Sequence, residues 1–412
     1  MADTIRHARA VSPWFIPNKG GVARDLHGIT NIGDSSNVSS TDVFVVGKQE
    51  KCGTDKGIPV ATLPVTQQER GEINSYLTLA NLVSMPSGGF ELSDFSSALV
   101  DAVLYEKDAF DGNLVQSIWL PKTSINSFGL NIADPEARIE RTFELGGDNK
   151  HELNGDNRYL IHVEDTGATA GAYVIDVSDP VPQPDTRPSA VSGAYILRID
   201  RTRSGITETI ELTTDYTYNS GTQEITILAA LVGDVYNIYY SSDSFGTAGD
   251  PTTVDSADPC FLKADSVTVL INDGTTEVEL ELLTSLSIDV TINRLDEGVI
   301  GKEEKVLKEI SDTPVTVSLN GRIQDSTILK AFQAQLGDTD VITDINEYLD
   351  NVKVTVKVYS DSSKATFLIG YQVDGLSFTD DSQSFAANEF GTLTVNASSD
   401  NLKITNVEGD LS

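Results

Sequence analysis

The sequence has few of the residues on which disulfide-bonded, zinc-binding and most catalytic proteins depend. Its 412 residues include two cysteines, Cys52 and Cys260, and four histidines. The cysteines lie far apart and form no CxxC pattern, so we predict neither a disulfide framework nor a zinc site, and we favour two free thiols over the alternative of one long-range disulfide. The histidines share no metal-ligand spacing and lie at His7, His27, His151 and His162.

Catalytic motifs are also absent. The chain contains no GxSxG, HExxH or Walker sequence. Gly298 to Lys302 resembles a fragment of a phosphate loop, but the spacing is wrong and neither Ser nor Thr follows the lysine. Two acidic pairs, Asp380 with Asp381 and Asp255 with Asp258, could bind a cation, although in an acidic chain such pairs are more often plain surface. We therefore predict no catalytic residues, no cofactor and no metal, and hence a protein that is not an enzyme.

Long apolar runs are missing as well. No segment approaches the ~18 apolar residues that span a bilayer, and the first residues lack the apolar core of a signal peptide. Aromatic residues make up 7% of the chain, which is low for a large enzyme but ordinary for a thin sheet protein. These features predict a soluble protein that is made inside a cell and has no membrane partner.

Positive charge is scarce, since 29 basic residues face 62 acidic ones and give a net charge of −33. Such a chain repels the DNA backbone, which disfavours sequence-specific DNA binding. Two explanations fit and are compatible. The surface is adapted to high salt, where screening makes many carboxylates tolerable. Alternatively, it is a surface that DNA must pass without sticking.

What the sequence does contain is a pattern of short strands, and we predict a mainly β fold with a short helix per module. The clearest stretch, residues 289–336, predicts a strand (289–293), a charged loop, a strand (314–322) and a helix (326–336). A weaker copy predicts a strand (42–46), a loop (47–70), a strand (72–83) and a helix (94–105). For residues 72–83 an amphipathic helix is the alternative.

A long hairpin follows each predicted helix, which extends the repeat. In the first copy it joins residues 125–132 to 138–145, and in the second it joins 373–378 to 391–396. Residues 159–163 and 172–177 predict a further hairpin, and the proline-rich segment 179–188 predicts a linker. The alternative is a chance similarity between two β-rich segments.

This order of a strand, a long loop, a strand, a short helix and a final hairpin resembles the tube module of the tail tube proteins of tailed viruses. The resemblance is carried by residues 287–321 (SIDVTINRLDEGVIGKEEKVLKEISDTPVTVSLNG) and 123–146 (TSINSFGLNIADPEARIERTFELG) and covers roughly 40–180 and 260–410. Two copies with an extra all-β module are similar to the subunits of some long flexible, siphovirus-type tails.

The resemblance implies two tail-tube-like modules, each a β-barrel or sandwich, and these together with the composition of the remaining segments predict a division into four parts. These are an N-terminal arm docked on a neighbour (1–41), a first tube-like module (42–178), a small all-β, immunoglobulin-like or similar module (185–245) and a second tube-like module (260–412). It further implies a structural virion protein that is made in the host cytoplasm and forms trimeric, pseudo-hexameric rings. Stacked rings would enclose a channel for viral DNA, which passes without specific binding. The expected partners are other copies of the chain, a tape measure protein, and tail terminator or baseplate proteins.

In such a tube the two long loops, 47–70 and 295–312, would contact the next ring. Their mixture of acids and bases suits salt bridges to a partner, while the alternative is a solvated charged loop. The candidate inter-ring residues are Lys48, Lys51, Arg70, Lys302, Glu303, Glu304, Lys305, Lys308 and Glu309.

Three other functions compete with this interpretation. Another tail component, such as a terminator or baseplate ring, could use the same module. A cell-surface β-domain that binds neighbours or carbohydrate is the second, and the missing signal peptide argues against it. An enzyme is the third, and no catalytic set supports it.

Overall fold

The computed structural model of the chain describes residues 9–17, 24–26, 28–44, 51–96, 98–108, 111–187, 190–248, 261–298, 305–322, 327–336, 351–385 and 391–411. Most of these residues lie in antiparallel β-strands, which confirms the predicted mainly β class with short helices. The described α-helices are α1 (Asn74–Leu79), α2 (Leu92–Ser96) and α3 (Thr327–Phe332).

The strands are numbered along the chain. The first ten are β1 (Arg9–Pro17), β2 (Arg24–Asp25), β3 (Ile29–Ile32), β4 (Ser35–Phe44), β5 (Lys51–Gln68), β6 (Phe90–Glu91), β7 (Val100–Asp108), β8 (Leu114–Ile132), β9 (Glu140–Gly147) and β10 (His151–Leu153). The next seven are β11 (Tyr159–Thr166), β12 (Gly171–Asp176), β13 (Ile196–Arg203), β14 (Ile206–Thr209), β15 (Tyr216–Asn219), β16 (Glu224–Ala230) and β17 (Val235–Ser242). The last ten are β18 (Val267–Asn272), β19 (Glu277–Glu279), β20 (Leu283–Thr291), β21 (Asn293–Gly298), β22 (Lys305–Asp312), β23 (Val315–Arg322), β24 (Val352–Tyr359), β25 (Phe367–Ser384), β26 (Thr392–Ser399) and β27 (Leu402–Thr405).

The chain forms two compact units, and each draws on separated segments. The first unit comprises residues 1–26, 99–123 and 149–255, and the second comprises 27–98, 124–148 and 256–412. The boundaries predicted from the sequence do not coincide with these units, because strand β8 begins in the first unit and ends in the second.

The first unit contains a five-strand sheet and a small sandwich. Strand pairing gives the sheet order β2-β1-β7-β8-β10, in which β8 takes part with residues 114–123. The sandwich consists of the sheets β11-β17-β13-β14 and β12-β16-β15. Alternating apolar residues of both sheets, such as Ile199, Ile225 and Ile238, are fully buried between them.

The second unit is built on an antiparallel sheet with eight strand positions, called the eight-strand sheet below, in which β3 and β4 share the first position beside β5. Its edge is formed by β3 and β4, which both pair with β5, and the order continues β9-β8-β20-β23-β26-β25. A second sheet has the order β19-β18-β24-β25-β27-β6, in which β25 uses residues 367–376. Strands β21 and β22 pair with each other as a two-stranded ribbon.

Several sequence predictions for the first copy are wrong in the type of element. Residues 74–79 form α1 and not a strand, and 75–79 are all buried, so no helical period is visible. The predicted helix 94–105 contains the end of α2 and then β7, whose first six residues are buried on both faces and therefore show no alternation. The predicted loop 47–70 contains β5.

The N-terminal and central predictions also need correction. The predicted N-terminal arm contains β1, which pairs with β7 and has Phe15 and Ile16 fully buried, so this part belongs to the fold. Strands β11 and β12 do not form a hairpin, since they pair with β17 and β16 in opposite sheets. The small module therefore begins before the proline-rich segment, whose Gln183 donates its backbone N–H to Ser241 of β17 at 2.9 Å. That segment is not a linker between domains.

Candidate functional site

The structure contains an internal duplication that is visible in the strand pairing. One copy runs β1-β2-β3/β4-β5-α1-β7-β8-β9-β10, and the other runs β18-β19-β20-β23-α3-β24-β25-β26-β27. In the eight-strand sheet the first copy contributes the order β3/β4-β5-β9-β8 and the second contributes β20-β23-β26-β25. The other sheets also match, as β2-β1-β7-β8-β10 and β19-β18-β24-β25-β27.

The two copies also agree residue by residue. Strand β5 pairs Ala61 with Gly147, and β23 pairs Val315 with Ser399 in the same place. The first strand of each copy has a register shift in the same place, because the pairing of β3 with β5 skips Thr30 and the pairing of β20 with β23 skips Thr284. Each of these threonines donates its hydroxyl to a carbonyl of the next strand, at Thr66 and Asn320, with distances of 3.4 and 3.0 Å. Since a chance similarity would not reproduce a register shift, we infer a duplication.

The same correspondence extends to the hairpins that replace the two predicted loops. The hairpin β4–β5 closes at the pair Phe44–Lys51, and the ribbon β21–β22 closes at Gly298–Lys305, its counterpart. The sequences between these ends, read through the closing lysine, are VVGKQEK (45–51) and VIGKEEK (299–305). This similarity is a sequence signal of the duplication that the strand-by-strand analysis missed, because it aligned the first copy one element too late.

Four of the nine predicted inter-ring residues lie in the strands of these two hairpins. Lys48, Lys302, Glu303 and Glu304 lie outside the described residues. Arg70 follows β5 and is half-buried. The remaining residues lie in strands, namely Lys51 in β5 and Lys305, Lys308 and Glu309 in β22. The structure thus gathers three of the nine residues on one strand and places Lys51 at the position equivalent to Lys305.

The two copies meet where β8 pairs with β20. Residues 127–132 lie antiparallel to residues 286–291, with Phe128 opposite Val290, Leu130 opposite Ile288, and Ile132 opposite Leu286. All six of these side chains are buried. This junction joins the last sheet strand of one copy to the first sheet strand of the next, and we call it the internal junction.

The counterparts of these two strands form the outer edges of the eight-strand sheet, since β25 corresponds to β8, and β3 with β4 corresponds to β20. Residues 377–384 of β25 pair with β26 on one side, while β3 and β4 pair with β5 on one side. Within the described part of the chain, neither edge pairs with a strand on its other side. Unpaired edges expose backbone donors and acceptors and are templates for pairing with another chain.

One face of the eight-strand sheet is apolar and buried, and the other, which we call the polar face, carries short hydroxyl and amide side chains. Its half-buried or exposed residues are Thr62, Thr66, Ser127, Asn131, Glu140, Thr142, Glu144, Ser287, Asp289, Thr291, Thr316, Ser318, Asn320, Arg322, Asp380, Ser382, Ser384, Thr392, Thr394, Asn396 and Ser398. Hydrogen bonds across strands order several of them, including Asn396 Nδ2 to Asp380 Oδ1 at 2.7 Å and Asn320 Nδ2 to Ser285 Oγ at 2.8 Å. Four carboxylates against one arginine make this face acidic.

A buried ionic cluster in the second unit holds strands of both copies. The Glu69 carboxylate, fully buried after β5, accepts hydrogen bonds from Arg141 of β9, from the Tyr371 hydroxyl of β25 at 2.7 Å and from the Gly71 N–H at 2.7 Å. Burial alone would lower the pKa of Arg141, but Glu69 raises it above the usual range. Burial raises the pKa of Tyr76, whose ring faces Arg141, to about 12. The cluster lies in the interior of the second unit and connects the end of β5 with β9 and β25.

A second cluster lies in the first unit around Arg198 of β13. Its guanidinium pairs with Asp101 of β7 and contacts Asp200 at 2.9 Å, and it lies over the rings of Trp119 and Tyr239. Burial raises the pKa of Asp200, an effect that Arg198 opposes. Asp101 and Trp119 belong to the five-strand sheet and the other residues to the sandwich, so the cluster connects these two parts of the unit.

His151 gives the first unit a stability that depends on pH. Burial lowers its pKa to about 4, with Arg187 adding to the shift, Asp185 opposing it, and Arg198 lowering it further. The unfolded chain takes up a proton near the ordinary histidine pKa of about 6.5, whereas the folded chain does so only near 4, so acid favours unfolding. We expect the free energy of unfolding to be intact at pH 7 and to fall by about 2–3 kcal/mol as the pH decreases to 4.

Urea titrations at pH 7, 5.5 and 4.5 would measure this decrease, with His151→Gln as the matched variant. Because burial also lowers the pKa of His162, part of the decrease remains in the variant. If the free energy of unfolding fell equally with pH in the native chain and in His151→Gln, His151 would have an ordinary pKa in the folded chain.

Among the described residues, no cluster of three or more His, Cys, Asp or Glu side chains could hold a metal ion, and no helix is long and apolar enough to cross a membrane. No protein-family model matches the chain, and a comparison with curated proteins finds no match.

Proposed function

We propose that the chain is the major tail tube subunit of a long-tailed virus, whose rings stack into a hollow tube through which viral DNA passes. The internal junction carries this proposal. Its two strands have counterparts at the two outer edges of the sheet. One chain can therefore join a second chain in the way that its own two repeats join each other. Because the two edges differ, such joining is head to tail and leads to rings or filaments.

The size of the sheet favours several copies per ring. A closed barrel of about eight strands is filled by its own side chains, while an aqueous channel requires about 16 or more strands. A single eight-strand sheet therefore cannot enclose DNA. Three copies, each with two modules, would form a pseudo-hexameric ring of the kind the resemblance implies.

The polar face supports a channel for a polyanion. Short hydroxyl and amide side chains offer no large basic patch, and the carboxylates Glu140, Glu144, Asp289 and Asp380 repel phosphate groups. A protein that binds DNA tightly neutralises phosphates with Lys and Arg. On this surface DNA would slide without being held. The further partners of the proposal are a tape measure protein and the terminator or baseplate proteins that end a tube.

The mass of the purified protein in solution tests the proposal. Light scattering and negative-stain images should show trimers, rings or hollow filaments. Assembly should increase between about 0.1 M and 1 M salt, because the screening length shortens from about 10 Å to 3 Å and weakens repulsion between chains of charge −33. A monomer at every protein and salt concentration would contradict the tube, and closed rings that never stack would favour a terminator or baseplate ring.

Deleting residues 303–308 should block stacking and spare folding. Strands β20 and β23 pair directly with each other, and the ribbon β21–β22 is a separate pairing, so the sheet does not need the deleted residues. Images should then show rings without filaments, while circular dichroism stays unchanged.

A Gly/Ser replacement of the same length serves as the second variant and removes the charges but keeps the length of the hairpin. Filaments of normal length from the deletion variant would remove the hairpin from the stacking contact.

A further inference from the structure

The outer edges of the eight-strand sheet have the geometry for pairing with a second copy of this chain. Residues 380–385 are exposed, and residues 32–37 are exposed or half-exposed. Their counterparts at the internal junction, 127–132 and 286–291, are paired with each other. The inference deepens the proposed function by naming the residues that meet between copies.

The correspondence at β25 rests on a shared register shift. Strand β8 skips Asn126 in its pairing with β9, and β25 skips Thr379 in its pairing with β26. After the skip, Ser127 opposes Glu144 and Asp380 opposes Asn396. Ser127 therefore corresponds to Asp380, and each later residue follows in step until Ile132 and Phe385.

The correspondence at β3 and β4 rests on the shift at Thr30 and Thr284. Counting from it, Ile32 opposes Val65 as Leu286 opposes Leu319, and Ser36 opposes Ala61 as Val290 opposes Val315. One residue further, Thr291 corresponds to Asn37. Ser127 opposes Thr291 at the internal junction, so Asp380 should oppose Asn37 between copies.

We infer that residues 380–385 of one chain pair antiparallel with residues 32–37 of a second, identical chain. In this register Asp380 lies opposite Asn37, Asp381 opposite Ser36 and Phe385 opposite Ile32. This outer joint reproduces the backbone register of the internal junction with different side chains. On the face where the internal junction buries Phe128 and Leu130, the outer joint has Asp381 and Gln383. A chain with apolar residues there would present a sticky edge before assembly, and inward-facing charge is a known protection of such edges.

Phe385 is the apolar contact that the outer joint retains. Its side chain is 74% exposed in the single chain, and its counterpart Ile132 is 6% exposed at the internal junction. Pairing with Ile32 would cover it from water. A large exposed aromatic residue next to an open strand edge marks an interaction surface.

Cysteine cross-linking tests the register. In a background of Cys52→Ser and Cys260→Ser, the in-register pair is Asn37→Cys with Asp380→Cys, and the off-register pair is Asn37→Cys with Asp381→Cys. Directly opposed residues have Cβ atoms about 4.5–5.5 Å apart, close to disulfide geometry, whereas a shift by one residue turns the side chains to opposite faces. Ser127→Cys with Thr291→Cys is the positive control, which should cross-link within one chain.

The two cysteines are carried on separate chains that are then mixed, so that only a bond between copies yields a covalent dimer. We expect about tenfold more dimer from the in-register mixture than from the off-register mixture, because only directly opposed residues place both Cβ atoms on the same face of the sheet within disulfide reach. Equal yields, or no dimer while the positive control cross-links, would overturn the inferred register. Hollow tubes without in-register cross-links would support the proposed function and contradict the outer joint. In-register dimers that never form rings would support the outer joint and contradict the proposed function.

Discussion

Glu69→Gln is expected to lower the free energy of unfolding by about 3–5 kcal/mol, the usual cost of leaving a buried charge without its partner. Arg141 is 1% exposed and would keep its positive charge without the carboxylate that now balances it, because a guanidinium stays protonated in proteins. The Tyr371 hydroxyl would also lose its charged acceptor. Urea unfolding at pH 7, followed by circular dichroism, measures the change.

The matched control is Glu279→Gln, which removes the same charge from an exposed pair. Glu279 lies 3.1 Å from Lys364, and both side chains are more than a third exposed, so the expected loss is below about 1 kcal/mol. Equal losses in the two variants would show that the Glu69 cluster is hydrated and contributes no more than a surface pair.

The Glu69 cluster also bears on the proposed assembly, because it joins strands of both copies. Glu69 follows β5 and Arg141 lies in β9 of the first copy, whereas Tyr371 lies in β25 of the second. The outer joint requires the two edges of one sheet to be at a fixed distance and angle. In the proposed tube, a cluster that fixes both copies within the second unit would therefore prepare the chain for closing a ring.

The second copy was largely predictable from the sequence, and the reason is its plain alternation. In β23 the buried and exposed residues alternate from Val315 onward, and the predicted strand 314–322 and helix 326–336 contain β23 and α3. The predicted hairpin 125–132 with 138–145 corresponds to β8–β9. The second, 373–378 with 391–396, places its first arm too early, because β26 pairs with residues 377–384 of β25. Strands with one buried face carry the period-two signal on which such predictions depend.

The first copy was harder because its strands break the usual sequence rules. Strand β5 contains Gly53, Gly57, Pro59 and Pro64, a composition that normally indicates a loop. The structure accommodates Pro64 opposite the break between β3 and β4, where Gly33 donates its backbone N–H to the Pro64 carbonyl at 3.2 Å. A proline lacks the N–H for a full ladder, so the edge strand is interrupted there.

The outer edges could not be derived from composition or periodicity. Residues 380–385 read DDSQSF, which is polar and lacks the β-branched residues of a strand. Residues 380–384 belong to a strand because β26 pairs with them and because β25 begins in a buried segment, Ile369 to Val373. Only a comparison of the strand pairing in the two copies shows that these residues correspond to residues 127–132 of β8.

Phe385→Asp is expected to abolish rings and filaments while leaving the single chain folded. In the single chain the Phe385 side chain is mostly exposed, so the substitution removes little packing. In the outer joint it would lose the burial of a phenylalanine, worth about 1.5–3 kcal/mol, and would place a charge against Ile32. Each joint should weaken about 10- to 100-fold, since 1.4 kcal/mol corresponds to a factor of ten. A ring closes only when every joint forms, so the losses multiply around it.

The matched control is Val83→Asp, which places the same charge on an exposed apolar residue of the second unit that does not belong to an edge strand. Thermal unfolding should be unchanged in both variants, and sedimentation should show monomers for Phe385→Asp and the full assembly for Val83→Asp. Ile32→Asp should reproduce the loss from the opposite edge. If Phe385→Asp assembled normally, the aromatic side chain would lie outside the contact between copies, and the register that places it opposite Ile32 would be wrong, because in that register an aspartate cannot be buried there without breaking the joint.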